Sequence, residues 1–134
     1  YVTDFANPKV VKMNNVICLP HLGASTEEAE DNCALMAINQ LKDYLENGNI
    51  TNSVNYPACN AGLKGNDVRI CINHHNVPGM IAKFTTVLSN ENINIVNLVN
   101  KSKGDYAYTI IDVDKVTDIK PIKDITGVLR VRVL

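Results

Sequence analysis

Two clusters in this chain have residue types and spacings that could do chemistry. The first is Pro20-His21-Leu22-Gly23-Ala24-Ser25-Thr26, set between the apolar run Val16–Leu19 and an acidic helix start. Imidazole exchanges protons near neutral pH, so a histidine at such a turn suits general acid–base work. Gly23 and Ala24 leave room for a flat ligand to approach the backbone. The second cluster is His74-His75-Asn76-Val77-Pro78-Gly79, with Asn94 sixteen residues after Pro78 (94 minus 78). Amide groups, an imidazole and free N–H groups at a helix start can receive the carboxylate and polar groups of a small ligand. Two adjacent histidines raise the question of a metal. No third His, Cys or carboxylate stands at ligand spacing, and no metal is expected.

The elements that must hold these clusters are legible from periodicity. Val16-Ile17-Cys18-Leu19 reads as a short buried strand closed by Pro20. Ser25 as N-cap and Glu28 three residues later fit a capping box. Ala29, Cys33, Met36, Ala37, Leu41, Tyr44 and Leu45 form one helical stripe, stopped by Asn47-Gly48. Residues 58–67 are small and turn-prone and read as a linker. Beyond them come a strand at Val68–Ile72, a loop holding His74 to Gly79, and a helix carrying Met80, Ile81, Phe84, Val87 and Leu88.

Strands follow at Ile93–Val99 and Tyr106–Val113. Val116, Ile119, Ile122 and Ile125 then give a helix with Asp118 as N-cap and Pro121 in its first turn, before a last strand at Val128–Leu134. The order β-α-β-β-α-β implies an α+β, ferredoxin-like domain with a four-stranded antiparallel sheet and both helices on one face. So small a core leaves an exposed sheet face or edge that would gain from a second copy, so a homo-oligomer is expected. Asn94, at the start of a strand, is expected to present its amide to the His74 loop. Arg130 and Arg132 read as solvated edge charges, and Tyr106 and Tyr108 as packing on a sheet face.

The chain is 46% hydrophobic and 20% charged, with a formal net charge of -1, which excludes disorder and gives no electrostatic reason for nucleic acid or an anionic membrane as partner. No apolar run approaches the roughly 18 residues of a membrane span. The four cysteines form no CxxC pair and read as buried thiols of a reducing, cytoplasmic protein.

Both clusters also resemble known families. Pro20 to Ala29, continued through the helix to Asn52-Ser53-Val54-Asn55-Tyr56-Pro57, is similar to the D-2-hydroxyacid dehydrogenases. That resemblance implies His21 as general acid/base, Gly23 and Ala24 bordering the nicotinamide of NAD, and residues 1–57 as the end of a catalytic part. It also implies a carboxylate upstream that orients the histidine. The loop Val2–Lys9 holds no Glu, and Asp4 is the available substitute. The family's arginine and GxGxxG turn are not among these residues, so the chain reads as part of a longer enzyme, inactive alone and unable to hold NAD fully.

Residues 68–134 resemble an ACT domain, the amino-acid-binding regulatory module. His74, Asn76, Pro78, Gly79 and Asn94 match the pattern that surrounds L-serine between two paired domains. A stand-alone amino-acid-binding module, or a 2-hydroxyacid dehydrogenase with another substrate, remains the alternative at this point.

Overall fold

The computed structural model describes residues 1–115 and 118–134. The chain divides into two compact units, Tyr1–Asn39 and Gln40–Leu134.

In the first unit, β1 (Val2–Thr3) and β2 (Ile17–Cys18) pair in parallel, Val2 opposite Ile17 and Thr3 opposite Cys18. A single 3-10 turn, Val10–Lys12, lies between them. Helix α1 (Glu27–Asn47) begins here, with Glu27, Glu28 and Glu30 in its first turn, where the helix dipole favours negative charge. Its cap is Thr26 and not the expected Ser25. Thr26 Oγ1 accepts the Ala29 N–H at 3.2 Å, while the Ser25 N–H turns back to the Leu22 carbonyl. The cap moves one residue because helical hydrogen bonding begins at the Thr26 carbonyl, which accepts from Glu30. The last turns of α1, from Gln40, belong to the second unit and stop at Gly48, whose φ of 74° suits a residue without Cβ.

The second unit is built on β3 (Val68–His75), α2 (Met80–Asn90), β4 (Ile95–Lys103), β5 (Tyr106–Val113), α3 (Lys120–Lys123) and β6 (Val128–Val133). The strands form one antiparallel sheet in the order β4-β5-β3-β6. This is the expected α+β, ferredoxin-like arrangement. Helix α3 is shorter than expected. Pro121 lies in its first turn, and the Asp118 carboxylate accepts the Lys120 N–H at 2.9 Å although the cap position itself is Ile119. Val116 lies outside the described residues.

One core fills the helix side of the sheet. Ile70 and Ile72 of β3 and Ile111 and Val113 of β5 meet Met80, Phe84 and Leu88 of α2 and Ile122 of α3. The i, i+4, i+8 spacing of the α2 residues puts all three on one stripe. The other face is not exposed, contrary to the sequence-based expectation. Cys71, Tyr108 and Ile110 are covered there by Ile50 and Cys59, with Tyr44, Tyr56 and Ala61 packed around them. Ile50 and Cys59 exchange both backbone hydrogen bonds, at 2.8 and 3.0 Å. Part of the 58–67 segment is thus packed structure and not a free linker. Its small residues let the chain lie flat on the sheet, and Cys59 is 1% exposed.

Three side chains rising from this face tie down the end of α1. Arg69 donates to the Asn47 carbonyl at 2.8 Å, and Tyr108 Oη to the Gly48 carbonyl at 2.7 Å. Arg132 donates to the Tyr44 and Leu45 carbonyls at 3.3 and 3.1 Å and lies over the Tyr44 ring. Helix C-termini leave such carbonyls without intrahelical partners, so the sheet acts as the cap. Arg132 is therefore a packing residue and not the solvated charge expected from its alternation with Arg130.

The cysteines divide. Cys59 and Cys71 are buried, whereas Cys33 is exposed and Cys18 half-buried; all four are free thiols. Burial pushes the Cys59 thiol from 9.0 up to about 11 and raises the Cys71 thiol and the Tyr108 phenol as well. Each group keeps its proton in the fold at a pH where the unfolded chain has lost it. Their stabilisation is intact below about pH 9 and, for Cys59, lost as pH rises through about 11. Thermal melts should hold constant up to pH 9 and fall steeply above it. Melts flat from pH 8 to 11 would contradict the burial of these groups.

Candidate functional site

The first cluster lies wholly within the first unit. His21 follows β2 in a turn and is exposed, and the Asp4 carboxylate beyond β1 faces it, with Oδ2 3.6 Å from Nδ1. The Phe5 ring meets the imidazole edge-on at a centroid distance of 4.6 Å. The parallel pairing of β1 and β2 explains the approach. It brings the residues after Thr3 and those after Cys18 out at the same end. The side chains of His21 and Asp4 are 59% and 46% exposed, so water screens this pair and holds its worth to at most about 1 kcal/mol. Around Gly23, the space a side chain would occupy is empty to 4 Å, leaving one side of the turn open to a ligand.

The second cluster sits at one end of the sheet. The structure corrects its outline, because His74 and His75 are the last residues of β3 and do not belong to a loop. They pair with Ala107 and Tyr106 of β5, and this tertiary pairing overrides the weak strand preference of the sequence. The loop proper is Asn76 to Gly79. Asn76 fastens it to the β4–β5 turn, its backbone N–H reaching the Asp105 carbonyl at 2.9 Å and its side-chain amide the Gly104 carbonyl at 3.0 Å. Gly79 has φ 82° and caps α2 without any side-chain acceptor, so the first N–H groups of α2 look outward. No atom lies within 4 Å of the position its Cβ would take.

The two histidines face opposite sides of the sheet, as successive strand residues must. His75 is exposed and stacks on Tyr106 at 5.6 Å, and Tyr106 in turn meets Tyr56 at 5.7 Å. His74 is 2% exposed. Its Nδ1 lies 2.8 Å from the His75 carbonyl, its Nε2 lies 2.9 Å from Thr109 Oγ1, and its ring meets Phe84 edge-on.

Asn94 does not join this loop within one chain. It precedes β4 at the end where Ile95 pairs with Val113; its backbone N–H donates to the Asp114 carboxylate at 3.1 Å and its carbonyl accepts the Asp114 N–H at 3.2 Å. The His75 end lies seven residues further along the strands, about 24 Å away at the rise of an antiparallel strand. The expectation that one chain gathers all five residues fails on strand register.

Four polar residues of structural weight were not singled out from the sequence: Arg69, Asp112, Thr109 and Asn100. Thr109 carries a readable signal, a polar side chain between Ala107 and Ile111 on the inward face of β5. Among the described residues, no helix is long and apolar enough to cross a membrane.

The match to known proteins coincides with the element order. The ACT domain family matches from Val68, the first residue of β3, to Arg132 in β6. Residues 68–132 are an ACT domain. The curated relatives extend the likeness to the first unit. D-3-phosphoglycerate dehydrogenase 1 of Saccharomyces cerevisiae is 37% identical over 123 residues, 87% of this chain and 25% of the relative. The D-3-phosphoglycerate dehydrogenases of Escherichia coli and Haemophilus influenzae are 29% and 30% identical over 97% and 98% of the chain. The chain spans about a third of the length of those two. Their shared name covers both the turn at His21 and the ACT domain.

Proposed function

We propose that this chain is the C-terminal part of an NAD-dependent D-3-phosphoglycerate dehydrogenase, which oxidises 3-phospho-D-glycerate to 3-phosphooxypyruvate at the start of L-serine biosynthesis. Its ACT domain binds L-serine as feedback effector. The observation that carries this reading is the joint presence of a His–Asp pair at an open Gly turn and an ACT domain, in a chain alike over most of its length to enzymes of that name.

In the catalytic part, His21 receives the proton of the substrate hydroxyl. Asp4 faces Nδ1 and favours the imidazolium that forms, leaving Nε2 to take the proton. Gly23 and Ala24, at the open side of the turn, would border the nicotinamide. NAD supplies the hydride acceptor when bound. A turn of this size holds only one edge of a dinucleotide, so the rest of that site belongs to other parts of the enzyme.

In the ACT domain, the outward N–H groups at the start of α2 suit the carboxylate of serine, and the Asn76 amide suits its polar groups. Asn94 comes from a second copy. Strand β4 is an edge of the sheet, and two copies joined along it about a two-fold axis run antiparallel. The partner copy then lays its Asn94 end against the Lys103 end of this one, where the Asn76–Gly79 loop sits. Each pair of domains makes two such sites. Titration calorimetry should show L-serine binding to the 134-residue chain, weakened at least tenfold by Asn76→Ala. No heat from the wild type, or equal heat from both, would sink the assignment.

A further inference from the structure

We propose that Lys103 couples the Asn76–Gly79 loop to the segment that leads back to α1, acting through the turn between β4 and β5. Its regulatory meaning rests on the L-serine reading of that loop. Its geometry rests only on contacts within the Gln40–Leu134 unit.

The turn is short. Lys103 and Tyr106 are the last paired residues of β4 and β5, so only Gly104 and Asp105 lie between them. Gly104 has φ 58°, the left-handed conformation that tight hairpin turns call for. A connection of this length has little slack, and a displacement at its tip is carried to the residues that flank it.

The effector loop grips the tip. Asn76 donates its backbone N–H to the Asp105 carbonyl and its side-chain amide to the Gly104 carbonyl, at 2.9 and 3.0 Å. Both turn residues are thus held by one residue of the loop.

The flanking residues grip the segment that covers the sheet. Lys103 Nζ donates to the Val54 carbonyl at 3.0 Å and to the Ser53 carbonyl at 3.4 Å. Tyr106 sets its ring against Tyr56. Ser53 organises the same stretch, since its hydroxyl donates to Asn55 Oδ1 at 3.1 Å and accepts the Tyr56 N–H at 3.2 Å. The Val54 side chain is out in solvent, so the backbone here is fastened to the sheet edge by the Lys103 ammonium.

Among the described residues, no hydrogen bond, ion pair or ring contact joins residues 76–79 directly to residues 49–61. The nearest links are the Lys103 hydrogen bonds and the His75–Tyr106–Tyr56 rings, and both pass through residues that flank the turn. The covered segment continues from α1, which begins just after the turn at His21. An effector held by Asn76 therefore acts on the chain that leads to the proposed catalytic part. Strand β4 is also the rim proposed to join a second copy, so pairing and effector meet at the same strand end.

The test is exchange of the Tyr56 amide, followed by NMR in the 134-residue chain without ligand. Asn76→Ala and Lys103→Met should each speed it about fivefold, and the double variant should be no faster than the faster single one. Lys103→Arg, which keeps a charged donor, should exchange like the wild type. Contacts that stabilise the fold independently would give additive effects. Unchanged Tyr56 exchange in Asn76→Ala, or additive single effects, would overturn the proposal. In the complete enzyme, Lys103→Met should bind L-serine within about twofold of wild type yet keep at least about half of its activity at saturation. Full inhibition of that variant would refute the coupling. If the wild type binds no L-serine while the exchange cycle holds, the effector reading fails and the link through the turn stands.

Discussion

Alanine at position 69 is expected to destabilise the Gln40–Leu134 unit by about 3–5 kcal/mol, read as a fall in the urea midpoint at constant slope. The Arg69 guanidinium is 2% exposed and forms a forked pair with Asp112, Nε to Oδ1 at 2.6 Å and Nη2 to Oδ2 at 2.8 Å. Its remaining hydrogens go to the carbonyls of Asn47, Ala61 and Gly62. The hydrogen bond to Asp112 holds the guanidinium pKa above its ordinary value, so it stays charged despite burial. Truncation would leave the Asp112 carboxylate buried beside the sheet with the Asn97 amide at 3.4 Å, and the Asn47 and Ala61 carbonyls would lose the Arg69 donor, while Gly62 would keep the Asn49 amide at 3.2 Å. The loss of a partner is what costs here, not the absence of a salt bridge. Replacing both members, Arg69→Met with Asp112→Leu, should therefore recover most of the stability. A fall below about 1 kcal/mol for Arg69→Ala would show that water reaches the pair and that the covering segment is open.

The second large effect belongs to the proposed chemistry. In the complete dehydrogenase, His21→Asn should lower kcat by about 10²–10⁴, because it removes the imidazole proposed to take the substrate proton and leaves an amide that cannot. Asp4→Asn should cost far less, about two- to fivefold, since a half-exposed pair at 3.6 Å is worth at most about 1 kcal/mol. Steady-state kinetics at saturating substrate separate the cases. A wild-type kcat in His21→Asn would remove the histidine from the mechanism. A loss in Asp4→Asn as large as that in His21→Asn would mean the pair tightens in the assembled enzyme, where water is excluded from it.

Much of this could be read from the sequence, and the misses have physical causes. Helix α2 and strand β5 are strongly periodic, and their apolar faces became the first core as expected. Arg69 was invisible because Val68-Arg69-Ile70-Cys71-Ile72 alternates like a half-solvated strand. Only the segment folded back over the sheet makes its polar face an interior one. The same segment misled at Cys59, since Pro57-Ala58-Cys59-Asn60 carries turn chemistry and still packs flat. His74 and His75 have no strong strand preference, and pairing with Ala107 and Tyr106 decides their state. At the effector cluster, residue types and spacing matched a known pattern. Strand register alone showed that one chain cannot assemble it.

With both sides of its sheet covered, this domain can grow only sideways, at its two rims. Joining the β4 rim of one copy to the β6 rim of the next would repeat without end and yield an open ribbon. Lys101 and Lys103 on one rim and Arg130 on the other are all exposed and of like sign, so that mode of growth works against charge repulsion. Joining β4 to β4 consumes the rim in a single step and stops. That joint too gathers like charges, Lys101 and Lys103 of both copies, so what would end growth there is closure of the two-fold and not the distribution of cations.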